Sequence, residues 1–234
     1  AEIRLMQSVL YRYLGQLDQV INYGVLGLRL LGIRLPFKPG FHLIIRELAL
    51  VKGRLLGKNT EQLLYAPPLQ NDRVKLMIRI MSELNSVTYN GGNVNLFLFS
   101  TLKSLSLNLQ YGNSQEAASI YSGYGVLLAV MGDLKGSYQF HKLALKLVET
   151  EDRAKYRAGV LFAYGFLGYA WSESFQDVDQ WFKKAMEDAL RYGDHYQVVL
   201  AGTFMYAFKA NRDLTELTQK AMEQVSLIKQ TNNQ

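Results

Sequence analysis

The chain has 234 residues, 49% of them hydrophobic and 20% charged, a balance close to that of ordinary globular domains and far from the composition of disordered chains. Cysteine is absent, which excludes disulfides and thiolate chemistry and fits the reducing cytoplasm. The net charge of +6 is uneven: residues 1–60 hold nine Lys/Arg against three Asp/Glu, residues 61–150 seven against six, and residues 151–234 ten against eleven.

Apolar residues recur at three- and four-residue spacing along nearly the whole chain, and the alternation of half-buried strands is nowhere sustained. The pattern predicts helices over 1–14, 18–31, 41–56, 60–65, 71–88, 94–110, 114–131, 134–149, 152–170, 177–192, 195–210 and 213–229. Glycines stand where helices should stop (Gly15, Gly32, Gly57, Gly112, Gly132, Gly193), and Asn71, Ser114, Asp133 and Asp194 stand where they should start. All four prolines fall in two linkers, Leu35-Pro36-Phe37-Lys38-Pro39 and Ala66-Pro67-Pro68. The longest nearly unbroken apolar run, Leu161 to Trp171, is well short of the roughly 18 to 20 residues that span a bilayer, so no membrane insertion is expected. The first residues carry mixed charge on a helical period and lack the apolar core of a signal peptide. A start without Met and a polar tail, Gln230 to Gln234, suggest a piece of a longer polypeptide.

An internal repeat organises these helices. Gly15-Gln-Leu-Asp-Gln-Val-Ile-Asn-Tyr-Gly-Val-Leu-Gly-Leu-Arg-Leu-Leu31 aligns with Gly132-Asp-Leu-Lys-Gly-Ser-Tyr-Gln-Phe-His-Lys-Leu-Ala-Leu-Lys-Leu-Val148, with the glycine, four leucines and a basic residue in register. Before the second copy, Tyr121, Gly125 and Leu128 continue the spacing, and Ser137, Ala144 and Leu145 follow within it. The chain here resembles the tetratricopeptide repeats, in which small residues let two antiparallel helices approach within about 8 to 10 Å. It departs from them at Val20 and Ser137, where the family favours alanine. Residues 152–192 read as a third pair, with Gly165 or Gly168 at the close approach, and 195–229 as a fourth. The resemblance implies an all-α superhelix of about 11 or 12 helices in antiparallel pairs. It would form a single domain over 1–234, irregular through about 33–92.

A further likeness runs through Leu30-Leu-Gly-Ile-Arg-Leu-Pro36, Ala66-Pro-Pro68, Ser104-Leu-Ser-Leu107, Tyr111-Gly-Asn-Ser114, Tyr124-Gly-Val-Leu-Leu and Met131-Gly-Asp133. These phrases resemble the helical region downstream of the nucleotide-binding domain in large bacterial AAA/STAND-type ATPases, which are often fused to serine/threonine kinase, GAF and histidine-kinase domains. The resemblance implies a regulatory helical module that relays to catalytic domains elsewhere in its parent protein.

Motifs that would carry chemistry fail on spacing. Gly53-Arg-Leu-Leu-Gly57-Lys58-Asn59-Thr60 approaches a phosphate-binding loop but lacks one spacer residue and interposes Asn59, so it reads instead as a helix C-cap followed by an N-cap. Asn90-Gly-Gly-Asn93 reads as a turn. The three histidines, His42, His141 and His195, lie in different helices without metal-ligand spacing, and His141 falls at an interhelical packing position. The acidic pairs Asp177/Asp179 and Glu187/Asp188 read as a solvated helical face with ion pairs such as Asp179 with Lys183. No catalytic residue, metal or cofactor is expected.

Aromatic residues make up 12% of the chain and cluster at 156–171 and 196–208. Most should be core. On the concave face of a repeat stack, Phe162, Phe166, Tyr169 and Tyr206 are the candidate partner-binding residues, because rigid aromatics anchor peptides and helices. The basic first quarter (Arg29, Arg34, Lys38, Arg46, Lys52, Arg54, Lys58) offers either an anion-binding patch or a solvated face. The expected function is therefore a non-catalytic protein-protein interaction and regulatory module that binds a protein, a peptide or another domain of its parent. A small-molecule or signalling-peptide sensor is the alternative, and a nucleic-acid binder ranks below both. Oligomeric state is left open by the sequence.

Overall fold

A computed structural model describes residues 1–88, 91–174 and 177–209, together with 218, 219, 222 and 226. Among the described residues every regular element is helical, and the only strand-like feature is an isolated parallel bridge between Pro68 and Asn113. In chain order the helices are α1 (Glu2–Tyr13), α2 (Leu17–Leu30), α3 (Phe41–Leu55), α4 (Thr60–Leu64), α5 (Asp72–Thr88), α6 (Val94–Tyr111), α7 (Ala117–Val130) and α8 (Leu134–Leu147). A 3-10 turn (Glu151–Tyr156) then leads into a composite helix made of α9 (Arg157–Ala163), a π-helical segment (Tyr164–Tyr169) and α10 (Ala170–Ser172). It is followed by α11 (Asp179–Arg191) and α12 (His195–Lys209). The observed bounds fall within a few residues of those the periodicity predicts; of the predicted helix over 213–229 only residues 218, 219, 222 and 226 are described, and these are helical.

The six glycines expected at helix ends all take positive φ, as does Gly92 in the turn before α6. Asn71, Asp133 and Asp194 accept backbone N–H bonds three residues on, as N-cap side chains do. Ser114 does not: it is buried, and α7 begins at Ala117. The near-match to a phosphate loop dissolves into two caps. Gly53 sits inside α3, Gly57 has φ +75°, and Asn59 and Gln62 form a reciprocal capping box at the start of α4.

The chain divides into two compact units, Ala1–Ile120 and Tyr121–Gln234, with the division falling inside α7. In the first, α1 and α2 pack on each other and both lie against α5, while α5 and α3 pack on α6. The pairing is therefore not sequential through the middle, since α3 lies on α6. The α2–α5 contact is close because α2 offers no side chain there: a Cβ on Gly24 would lie 2.7 Å from Leu84, and one on Gly27 3.0 Å from Ile80. Around this seam Val20, Leu28, Ile78, Ile80, Met81 and Leu84 are fully or almost fully buried. Helix α6 is buried over most of its length, its small polar residues Ser100, Thr101, Ser104 and Ser106 among the buried ones.

The two prolyl regions are anchored through asparagines. Asn113 donates its side-chain amide to Leu63 O (2.8 Å), and its backbone bonds both Pro67 O and Leu69 N. Here Gly112, at φ +104°, is required: a Cβ would run into the Pro67 carbonyl. The phrases Ala66-Pro-Pro68 and Tyr111-Gly-Asn-Ser114, far apart in sequence, thus form one joint. Asn93 and Asn95 do the same for the other linker, donating to Phe37 O and Pro39 O, each at 3.0 Å.

In the second unit α8 packs on the π segment and on α9, the α9–π run packs on α11, and α11 packs on α12. Glycine again sets the closest approach: a Cβ on Gly165 would sit 2.7 Å from the Cβ of Trp181. The core beside it gathers Leu161, Phe162, Val178, Phe182, Ala185, Ala201 and Met205. Asp188 departs from the solvated-face expectation. It is buried and accepts two bonds from the Arg157 guanidinium, at 2.5 and 2.6 Å, because α11 turns that edge toward the start of α9.

If glycine contacts set the helix spacing, alanine should act oppositely at crowded and open sites. Gly165→Ala meets a Cβ bonded directly to the α11 backbone and is expected to cost about 1–3 kcal/mol. Gly53→Ala, in the helical interior of α3 with open space around it, should stabilise by about 0.5–1 kcal/mol. Denaturant unfolding of both variants measures the two signs.

Candidate functional site

The second unit contains a polar-aromatic cluster built on the π segment, a helical irregularity found frequently at functional sites. Tyr138 from α8 donates its hydroxyl to the Glu173 carboxylate in a short bond, and Tyr164 donates to the same oxygen at 3.5 Å. Lys142 Nζ lies 3.7 Å from that oxygen and 4.9 Å from the centre of the Tyr138 ring. Tyr164 meets Trp181 edge-on at 4.7 Å, Tyr169 leans on Trp181 at 5.6 Å, and Lys184 covers Trp181 at 4.5 Å. Burial, and after it the Glu173 charge, pushes the Tyr164 phenol well above its usual range. The hydrogen bond to Tyr138, reinforced by the Glu173 carboxylate, raises the Lys142 ammonium. Chemically the cluster is an exposed carboxylate hydrogen-bonded by two phenols, with a lysine ammonium alongside. It ties α8 to the end of the composite helix.

Beneath it lies His141, fully buried, with Nδ1 3.2 Å from Ser122 Oγ and no protein partner at Nε2. Gly125 and Gly168 press on it: a Cβ on Gly125 would fall 2.9 Å from the ring, and one on Gly168 3.4 Å from the histidine Cβ. Burial drives its pKa down to about 4, so the ring is neutral at neutral pH. This is the packing position the repeat pattern indicates. His42 and His195 are exposed.

The four aromatic candidates fall into two groups. Phe162 is 7% exposed and belongs to the core, stacked with Phe166 at 6.2 Å, near Phe182 at 5.5 Å and edge-on to Phe204 at 5.1 Å. Phe166 and Tyr206 are half-buried against that same core. Tyr169 is half-buried too, but in the neighbouring Tyr-Trp-Glu cluster. The structure thus brings Phe162, Phe166 and Tyr206 to one core and Tyr169 to its neighbour.

One surface of the first unit escaped the sequence reading, and a second was read without its partners. Ile3, Met6, Leu10 and Tyr13, at i, i+3, i+7 and i+10 on α1, are 55–72% exposed, and Leu14 and Leu17 extend the stripe. The opposite face of α1 supplies the buried Leu5 and Ser8. The signal was there in the apolar residues on both sides of α1, which a one-faced reading assigns wholly to the core. The second surface is α3, where the basic quarter sorts itself by partner. Arg54 donates to Ser106 O and Gln110 Oε1, and Lys58 to Leu109 O among the terminal carbonyls, all in the last turns of α6. Arg46 pairs with the buried Glu47, which Lys103 also meets at 3.3 Å. Arg29, Arg34, Lys38 and Lys52 are exposed.

Among the described residues no group of three or more His, Cys, Asp or Glu could hold a metal ion, and no helix is long and apolar enough to cross a membrane. No family model matches the chain, and neither a curated protein nor a solved structure matches it.

The buried histidine predicts a pH dependence. Its folded pKa, about 4, lies below the ordinary 6.5, so the unfolded chain takes up the proton first as pH falls. Its contribution is complete above pH 6.5, declines as the pH falls from there toward 4, and then levels off, a loss of roughly 3 kcal/mol. Unfolding free energies measured across that interval should fall less steeply for His141→Gln than for the parent.

Proposed function

We propose that the chain is a non-catalytic protein-protein interaction and regulatory module: a tetratricopeptide-like stack of antiparallel helix pairs serving a larger bacterial signalling ATPase or kinase. The observation that carries this reading is the outward stripe of α1. Ile3, Met6, Leu10 and Tyr13 repeat at the alternating three- and four-residue spacing with which one helix receives another. Large apolar side chains in a continuous exposed row mark interaction surfaces, whereas isolated ones need no explanation. Phe166, Tyr169 and Tyr206, each half-buried, would form a second contact in the other unit, with Phe162 supporting them from the core.

The partner in this reading is a helical segment of another domain or protein, taken up by surface complementarity. A regulatory effect follows only from a difference in the partner's affinity for two states of the parent. The all-helical architecture, the glycine-set helix contacts and the register of residues 15–31 with 132–148 support the repeat assignment. In that alignment Gly24 matches His141 and Gly27 matches Ala144; Gly24 and Gly27 lie against α5, whereas His141 lies against Gly125 of the preceding helix.

A photo-crosslinking side chain in place of Leu10, used in extract of the source organism, tests the reading. Crosslinks to a defined helical segment are expected from position 10 and not from position 190, where Leu190 is exposed outside any such stripe. Equal labelling from both positions, or labelling from neither, would count against it.

A further inference from the structure

Residues 19–60 contain seven Lys/Arg and a single acid, Glu47, whose side chain is buried and paired with Lys103 and Arg46. The stretch therefore exposes six basic side chains and no acidic one, with Arg46 paired to Glu47 and the exposed Asp18 and Glu61 adjoining its two ends. The same stretch also exposes large apolar side chains. Phe37 stands between Pro36 and Pro39 in a loop anchored by Asn93 and Asn95. Phe41 and Ile45 follow on α3, one turn apart, and Leu56 closes the helix; all four side chains are 50–86% exposed. At 100° per residue, positions 41, 45, 49 and 56 fall within roughly 80° of arc, so they form one ridge. Lys52 lies within that arc, with His42 and Arg46 along its other edge and Lys38 and Arg34 in the preceding loop; all five are exposed. The inner side of α3, through Ile44, Glu47 and Val51, is occupied by the packing on α6.

We propose that this face docks on an anionic phospholipid surface. An in-plane helix with an apolar ridge and flanking cations matches what a charged bilayer interface receives: apolar tips enter the acyl boundary while Lys and Arg reach lipid phosphates. The observations favour a bilayer over an acidic polypeptide because the apolar groups project separately from a loop tip and a helix ridge. A bilayer accepts each of them independently, whereas a bound peptide needs a groove to lie in. The inference is independent of the proposed partner on α1, which uses other residues.

Co-sedimentation of the 234-residue chain with extruded vesicles tests it, comparing pure phosphatidylcholine with an equal mixture of phosphatidylcholine and phosphatidylglycerol. The expected result is partition onto the mixed vesicles only, weakening as salt is raised. Lys52→Gln should lower partition about fivefold, the ratio corresponding to ~1 kcal/mol for each basic side chain at such a surface. Phe41→Ser with Ile45→Ser should lower it at least tenfold while leaving the unfolding midpoint nearly unchanged, and Trp171→Ser, an exposed aromatic in the other unit, should leave it intact. Equal partition onto both vesicle types, an equal loss with Trp171→Ser, or binding to poly-glutamate without binding to vesicles would overturn the proposal. The last result would assign the face to an acidic polypeptide.

Discussion

Among the described residues, several helices meet closely where one partner has no side chain. Gly24 and Gly27 on α2 admit Leu84 and Ile80 of α5, Gly125 on α7 admits the His141 ring, and Gly165 in the π segment admits the Trp181 Cβ. Packing helices at the distance these contacts allow leaves no room for even a methyl group at the crossing, so each glycine acts by what it omits. Flexible groups such as Leu84 can yield a few tenths of an ångström. A Cβ, an enclosed imidazole or a backbone carbonyl such as that of Pro67 against Gly112 cannot.

That constraint explains the character of the buried polar groups. Held under Gly125 and Gly168, His141 is kept neutral and bonded to Ser122, while nearby the Tyr138 and Tyr164 phenols bond the exposed Glu173 carboxylate at the surface. The pairing of Arg157 with Asp188 fastens the start of α9 to α11 with a bidentate bond at a mostly buried acid. These groups specify which helix faces meet within the second unit; in the first unit, α1 and α3 carry apolar residues on both sides. Only one side of each is used internally. The other sides are the surfaces on which the proposed interactions rest.

Helix positions were legible because their signals are local. Apolar spacing, terminal glycines and Asn or Asp caps act over a few residues, and Asn59 with Gln62 shows a capping box displacing a tempting phosphate-loop reading. Non-local partners were not legible. Asp188 looked like one acid of a solvated pair, and its burial depends on Arg157, 31 positions away. Arg54 looked like part of a free basic patch, yet it serves the end of α6, 52 positions away. The aromatic candidates illustrate the same limit: periodicity places Phe162 and Tyr169 on helices, but only the fold distinguishes a core ring from a half-exposed one. The outward stripe of α1 was present as letters and missed as a surface, because hydrophobic periodicity reports that a face is apolar without reporting what covers it.

The claim that glycine crossings hold the helices together is tested most directly by a double-mutant cycle between Gly125 and His141. If the two touch as described, Gly125→Ala should destabilise the parent but cost much less once His141 is replaced by alanine, giving a coupling energy of at least about 1 kcal/mol. Strict additivity of the two substitutions would mean that the residues do not meet, and would contradict the account.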